Sequence, residues 1–274
     1  MDPRPLSRGL PGLAVQPEGP RAITRNLPEE VPVAIVFDGS TQAVMMATPA
    51  DITDFALGFA LSEGIIDSPD EIEDAEALEH GEGIEARLWL RADRSEALKA
   101  RRRMMTGPVG CGLCGIDSLE QALRPLPRMA AKGPVLAQAD VATATDALSR
   151  LQPLHSQTRA THAAGFLMAG KGIVMVREDV GRHNALDKLI GGLARAGIAP
   201  STGAFVMTSR ISVDLVQKCA QAGCPVLIAV AAPTAAALRH ADAAGITLAA
   251  FARGGAFDLY SHPLRIDTGA SHVA

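Results

Sequence analysis

The chain has 274 residues, 47% of them hydrophobic and only 3% aromatic, with a formal net charge of -4 and a pI near 6. That length holds one large domain or two small ones, with a core built from Ala, Val, Leu and Ile rather than from rings. The charge argues against a general nucleic-acid or membrane-surface binder, and no stretch is long and apolar enough to cross a bilayer as a helix.

Residues 1–26 carry Pro, Gly and Arg without an apolar secretory core. They read as a disordered tail, not as a signal peptide. Four cysteines at irregular spacing do not form a secreted disulfide framework, which predicts a reduced, cytoplasmic protein.

Order is expected from about Val31. Residues 33–37 and 43–47 read as two strands joined by an Asp38-Gly39 turn. A helix follows, with Thr48 as N-cap, Pro49 at its first position, Ile52, Phe55, Ala56 and Phe59 on its apolar face and Gly64 at its end. Residues 67–79 are acidic and read as a solvated surface. Residues 85–91 alternate like a strand, and 95–105 and 117–123 read as helices on either side of a cysteine loop. Pro125, Pro127 and Pro134 mark a linker. The expected division is therefore a tail (1–26), an N-terminal α+β domain carrying the cysteine loop (27–135) and a C-terminal domain (136–274).

The second half is more regular. Helix 141–151, strands 161–168 and 172–177, helix 184–196, strand 204–208, helix 212–222, strand 225–230, helix 234–244 and strand 246–251 follow one another. Such alternation predicts a mixed sheet flanked by helices on both faces, an α/β fold. Ligands of open α/β sheets sit beyond the carboxyl ends of the strands. Those positions hold Glu178-Asp179-Val180-Gly181-Arg182-His183-Asn184, Ser209-Arg210-Ile211-Ser212, Ala232-Pro233-Thr234 and Arg253-Gly254-Gly255. Three of the four run into a helix N-terminus, where free N–H groups and the helix dipole attract anions. Arg182, Arg210 and Arg253 add phosphate donors. A phosphorylated or nucleotide-bearing ligand fits. Each arginine alone would more often pair with a surface carboxylate, and His183 alone could be a local hydrogen bonder beside Asp187 and Lys188. Cys219 and Cys224 read as small buried hydrophobes.

The segment Gly110-Cys111-Gly112-Leu113-Cys114-Gly115 leaves four chemistries open. A CxxC is half of a zinc site, but no second CxxC completes it. A thioredoxin-like dithiol would normally open a helix after a strand. Zinc deaminases pair HxE with PCxxC, and here Pro108 is not adjacent to Cys111 and His80-Gly81-Glu82 sits in a turn. The C-terminal half has a deaminase-like order of elements, but His183-Asn184-Ala185 and Ser209-Arg210-Ile211-Ser212 stand where the ligand motifs would be. The fourth reading is a persulfide carrier, with Arg101, Arg102 and Arg103 close enough in sequence to favour the thiolate.

Taken together the motifs resemble one family, the FdhD sulfurtransferases needed for formate dehydrogenase activity. They are Thr48-Pro49 with Ser62-Glu63-Gly64-Ile65-Ile66, the CGLCG loop, His162-Ala163-Ala164, Glu178 to Ala185 with Asp187-Lys188, Ser209 to Ser212, Ala232-Pro233-Thr234 and Phe251-Ala252-Arg253. Residues 159–161 (Arg-Ala-Thr) depart from the glycines usual before that histidine. The resemblance implies a cytidine-deaminase-like C-terminal domain, a cytoplasmic homodimer and no structural metal. It implies that a cysteine desulfurase donates sulfur as a persulfide to Cys111, with Cys114 assisting. The sulfur would pass to bis-molybdopterin guanine dinucleotide before insertion into the formate dehydrogenase catalytic subunit. Cofactor contacts are implied at His162, Asp179, Gly181, Arg182, His183, Asn184, Lys188, Ser209, Arg210, Phe251, Ala252, Arg253, Gly254, Gly255 and Ala256. A pure escort of the cofactor is the alternative, and a zinc deaminase a more distant one.

Overall fold

The computed structural model describes residues 4–96, 98, 125–131 and 133–269. Cys111, Cys114, the helix expected over 117–123 and most of that over 95–105 lie outside the described residues; residues 92–96 and 98 are helical.

The tail expected to be disordered (1–26) instead contributes most of an antiparallel ribbon of β1 (Ser7–Gln16) and β2 (Gly19–Pro28). Next come β3 (Val31–Phe37), β4 (Ser40–Ala47), α1 (Ile52–Ser62), β5 (Ile72–His80) and β6 (Gly83–Leu90). Asp38 and Gly39 both take positive φ, 50° and 76°, as a tight turn with the twist of a hairpin requires. The acidic surface expected over 67–79 is for the most part the strand β5. The four-stranded sheet runs β4-β3-β6-β5, with β3 and β6 parallel and β5 at an edge. Val33, Ile35, Phe37, Ile84, Ala86 and Leu88 point to one face, where Phe55, Ala56, Phe59 and Ala60 of α1 cover them.

The second half contains β7 (Leu136–Ala137), α2 (Gln138–Arg150), α3 (Pro153–Thr158), β8 (His162–Met168), β9 (Gly172–Asp179), α4 (Arg182–Arg195), β10 (Gly203–Met207), α5 (Val213–Gln221), β11 (Val226–Ala229), α6 (Ala235–Ala244), β12 (Thr247–Arg253), β13 (Ala256–Ser261) and β14 (Ile266–Asp267). Its six-stranded sheet has the order β13-β12-β11-β10-β8-β9. The three central strands β10, β11 and β12 are parallel, and antiparallel partners flank them. Strand alternation divides the core cleanly. Phe205 and Met207 face α4, α5 and α6, whereas Ala204 and Val206 face α2. The expected mixed sheet with helices on both faces is therefore present.

The two sheets share a seam between α1 and α4. A Cβ on Gly58 would lie 1.7 Å from the Asp187 carbonyl oxygen, and one on Gly191 would lie 1.9 Å from that of Asp54. The helices touch backbone to backbone, and only glycine fits at either position. Charged groups close the seam around this contact. Asp54 accepts from Arg177 (2.6 Å) and from Arg195 (2.7 Å). Ser62 donates to Asp187 (2.7 Å), and Lys218 reaches both Asp187 (3.0 Å) and Glu63 (2.8 Å). Although burial opposes it, the Asp187 and Glu63 carboxylates hold Lys218 protonated.

Thr48 corrects the sequence reading. It does not cap α1, whose N-cap is Asp51 in the left-handed region at φ 53°. Thr48 is fully buried in the seam instead. Its N–H donates to Asp179 (3.0 Å), its Oγ1 accepts from the Val180 N–H (3.1 Å), and its carbonyl accepts from Lys188 (2.8 Å).

Candidate functional site at the strand ends

Because β10, β11 and β12 are parallel and β8 runs antiparallel to β10, one end of the sheet gathers the start of β8 and the ends of β9, β10, β11 and β12. His162 opens β8 and is paired in register with Asp179, the last residue of β9. Gly181 is the N-cap of α4, and Arg182 and His183 lie in that helix's first turn. Ser209 and Arg210 follow β10. Their loop is tied to the one after β11: the Ile211 N–H donates to the Ala232 carbonyl (3.2 Å) and the Thr234 N–H to the Ile211 carbonyl (3.0 Å). Thr234 then caps α6 by accepting from the Ala237 N–H (3.1 Å).

Phe251, Ala252 and Arg253 end β12, Gly254 and Gly255 make the turn, and Ala256 opens β13. The register is broken between Ala250 and Arg253, and Phe251 sits exposed at φ 52°. A bulky aromatic at positive φ is a strained conformation of the kind retained at functional sites. The turn is held against α2, where the Gly254 N–H donates to Asp146 (3.2 Å) and Thr145 Oγ1 donates to the Ala252 carbonyl.

Between this turn and His162 lies a cavity of about 570 Å³, lined by Asp146, Gln152, His155, Arg159, His162 and Thr208 among others. Gln152 is only 2% exposed, and its Nε2 finds no hydrogen-bond acceptor among the described residues. A buried donor without a partner costs about 1–3 kcal/mol. His155 Nδ1 is 2.8 Å from the Thr161 carbonyl, which places the proton on that nitrogen. Gln152, Asp146, His155 and Arg159 have no sequence signal of their own. They reach the site only because α2 and α3 pack beside β8.

The electrostatics single out the two histidines. Burial pushes His183 down to about 3, with Arg182 and Lys218 reinforcing it. Burial also lowers His162, again helped by Arg182 and then by His155. Both rings are neutral at pH 7, and the Arg182 charge acts on both. His183 Nε2 lies 3.5 Å from Ser212 Oγ and 3.7 Å from Asp214. Burial raises the carboxyl group of Asp214 above its ordinary range despite Lys218 and Arg182. The N-termini of α4 and α5 thus face each other across a short gap.

The expected site residues divide into two sets. His162, Arg182, His183, Arg210, Phe251, Arg253, Gly254, Gly255 and Ala256 are at least partly exposed at this end, as is Gly181, with Ser209 and Ala252 buried beside them. Asp179 and Lys188 are fully buried and pair with each other (2.6 Å). Asn184 donates to Asp179 (3.0 Å) and to the Met46 carbonyl (2.8 Å). Asp179 also accepts from the Gly181 N–H (2.8 Å), so this trio holds the α4 loop in place from behind. Cys111 and Cys114 lie outside the described residues. Cys219 and Cys224 are buried, and burial pushes the Cys219 thiol well up, as an inert packing role requires.

Known proteins place this arrangement. Residues 28–267 match the model of the FdhD/NarQ family. A sulfur carrier protein FdhD from Agrobacterium fabrum is 52% identical over 88% of this chain and 89% of its own length. One from Brucella abortus is 48% identical over 95% and 97%. A crystal structure from Desulfotalea psychrophila, described as that of a formate dehydrogenase accessory protein, superposes with a TM-score of 0.76. It is 25% identical and covers 96% of this chain and all of its own. The chain belongs to the FdhD/NarQ family.

Proposed function

We propose that this chain is a cytoplasmic sulfur carrier serving formate dehydrogenase, with Cys111 as the carrier thiol and the strand-end site as the seat of the receiving cofactor. About 50% identity to sulfur carriers over most of the chain supports the role. The observation that carries the site is the cavity beside His162, lined in part by Gln152, His155 and Arg159, with Arg182, Arg210 and Arg253 at the same end of the sheet. Arg210 and Arg253, which have no ion pair among the described residues, suit an anionic heterocyclic ligand such as bis-molybdopterin guanine dinucleotide. The deaminase-like order of elements supports a nucleotide-sized site between the N-termini of α4 and α5.

In the loading step the Cys111 thiolate attacks the outer sulfur of a persulfide on a cysteine desulfurase. A new S–S bond forms on Cys111, the donor's S–S bond breaks, and the donor leaves as its thiolate. Cys114, three residues on, assists the later release by attacking the Cys111 sulfur: a Cys111–Cys114 disulfide forms, the persulfide S–S bond breaks, the outer sulfur leaves as hydrosulfide, and a thiol reductant reopens the disulfide. The released sulfur goes to the cofactor, which is then inserted into the formate dehydrogenase catalytic subunit.

Intact-protein mass spectrometry after incubation with a desulfurase and cysteine tests this. The expected result is one added sulfur on the wild type and on Cys114→Ala, and none on Cys111→Ala. A Cys111→Ala protein that still supports formate dehydrogenase would replace the carrier with a cofactor escort.

A further inference from the structure

The β1–β2 ribbon is the least explained part of the molecule. It precedes nearly all of the family-matched segment. Ten residues per strand make it about 33 Å long. Its base is anchored: Arg4 bonds to the Gly81 and Glu82 carbonyls and pairs with Glu79, and Ser7 bonds to Gln157. Beyond the base, nearly every residue is exposed. An isolated two-stranded ribbon is marginal in water unless something packs on it. This one leaves Leu10 42% and Leu27 45% exposed on one face, and Leu13 64% and Val15 81% on the other.

Register fixes which residues share a face. Arg8 opposes Leu27, Leu10 opposes Arg25, Gly12 opposes Ile23 and Ala14 opposes Arg21. One face therefore carries three arginines among Leu10, Ile23 and Leu27, and no carboxylate. The other, with Pro11, Leu13, Val15, Pro20 and Ala22, carries no charge at all. Arg8 pairs with Glu29 (2.9 Å), but Arg21 and Arg25 have no ion pair among the described residues.

The complement lies on the same chain. Strand β5 is the open edge of the four-stranded sheet and carries Glu73, Asp74, Glu76 and Glu79 with no Lys or Arg. Glu76 meets Arg87 and Glu79 meets Arg4. Glu73 and Asp74 have no ion pair among the described residues, and both are exposed. Two unmatched cations on a strand ribbon and two unmatched anions on an unpaired strand edge form a self-complementary set, the condition for a closed two-fold contact.

We propose that the ribbon is an exchanged arm: the Arg21 and Arg25 face of each copy lies along the acidic edge strand β5 of a second copy, which also covers Leu10, Ile23 and Leu27. The inference does not rest on the sulfur-transfer reading. Charge-reversal exchange tests it by sedimentation velocity on the full chain. One variant is Arg21→Glu/Arg25→Glu, the other Glu73→Lys/Asp74→Lys; all four sites are exposed, and circular dichroism checks the fold. The wild type is expected to be a dimer that weakens at high salt. Each variant alone should weaken self-association at least tenfold, because like charges then face each other. An equimolar mixture should regain wild-type affinity, because both contacts of the mixed pair are again opposite in sign. A monomeric wild type, a dimer that survives both variants, or a mixture that does not re-associate would each overturn the proposal.

Discussion

The seam between α1 and α4 and the strand-end site are built from the same side chains, put to opposite uses. In the seam every carboxylate is matched: Asp54 by Arg177 and Arg195, Asp179 by Lys188, Asp187 by Lys218. All three carboxylates are nearly inaccessible. At the strand ends Arg210 and Arg253 have no ion pair among the described residues and stand with neutral histidines and the raised carboxyl of Asp214. Charge that holds a fold together is balanced and dry. Charge that waits for a ligand is in surplus and at least partly wet.

Breaking the seam should have the largest effect. Gly58→Val is expected to abolish folding, because the backbone of α4 occupies the space the side chain needs. Failure to recover folded protein, judged by circular dichroism, checks this; a well-folded variant would disprove the backbone contact. Lys188→Ala should cost about 3–5 kcal/mol in denaturant unfolding, since it leaves Asp179 buried and uncompensated. Adding Asp179→Asn in the same chain should recover a measurable part of that loss.

The strand ends should respond in the other currency, binding rather than stability. Arg210→Gln and Arg253→Gln are both exposed and should leave the unfolding free energy within about 0.5 kcal/mol of wild type. Titration calorimetry with guanosine diphosphate, a fragment of the proposed ligand, should show roughly tenfold weaker binding for each, the loss of one charge-assisted contact of about 1.4 kcal/mol. Wild-type affinity in both variants would place the ligand elsewhere.

Per pH unit, a smaller effect sharpens the contrast through pH. His183 binds a proton less readily folded than unfolded, so the unfolded chain holds more protons between about pH 6.5 and about 3. Stability therefore falls as pH drops through that window, by about 1 kcal/mol per pH unit from this group. His183→Gln should flatten that part of the profile in urea titrations at successive pH values. An unchanged slope would mean that the ring is free to charge in the folded state.

The alternation of the C-terminal half was legible because helices and strands there bury one face each, and burial writes its period into the sequence. The strand-end loops were legible by the same logic, since topology decides where they meet. Four features were not. Gly, Pro and Arg in residues 7–28 mask a ribbon whose strands have no buried face to pattern. The carboxylates of β5 hide an edge strand none of whose residues is fully buried. Thr48 before Pro49 imitates a helix cap, but a buried Asp179 some 131 residues away claims it. Lys188 looked like a ligand contact for the same reason: a sequence cannot show that a cation is answered by the carbonyl of a residue 140 positions earlier.

The seam also decides how this chain can be cut. The prolines at 125, 127 and 134 invite a division into two pieces, and each piece would carry a complete sheet. Yet separation would strip Lys188 of the Thr48 carbonyl, Lys218 of Glu63, and Asp54 of both its arginines, while baring two glycine-bearing helix faces shaped only for each other. Neither fragment would be a stable product of proteolysis or expression.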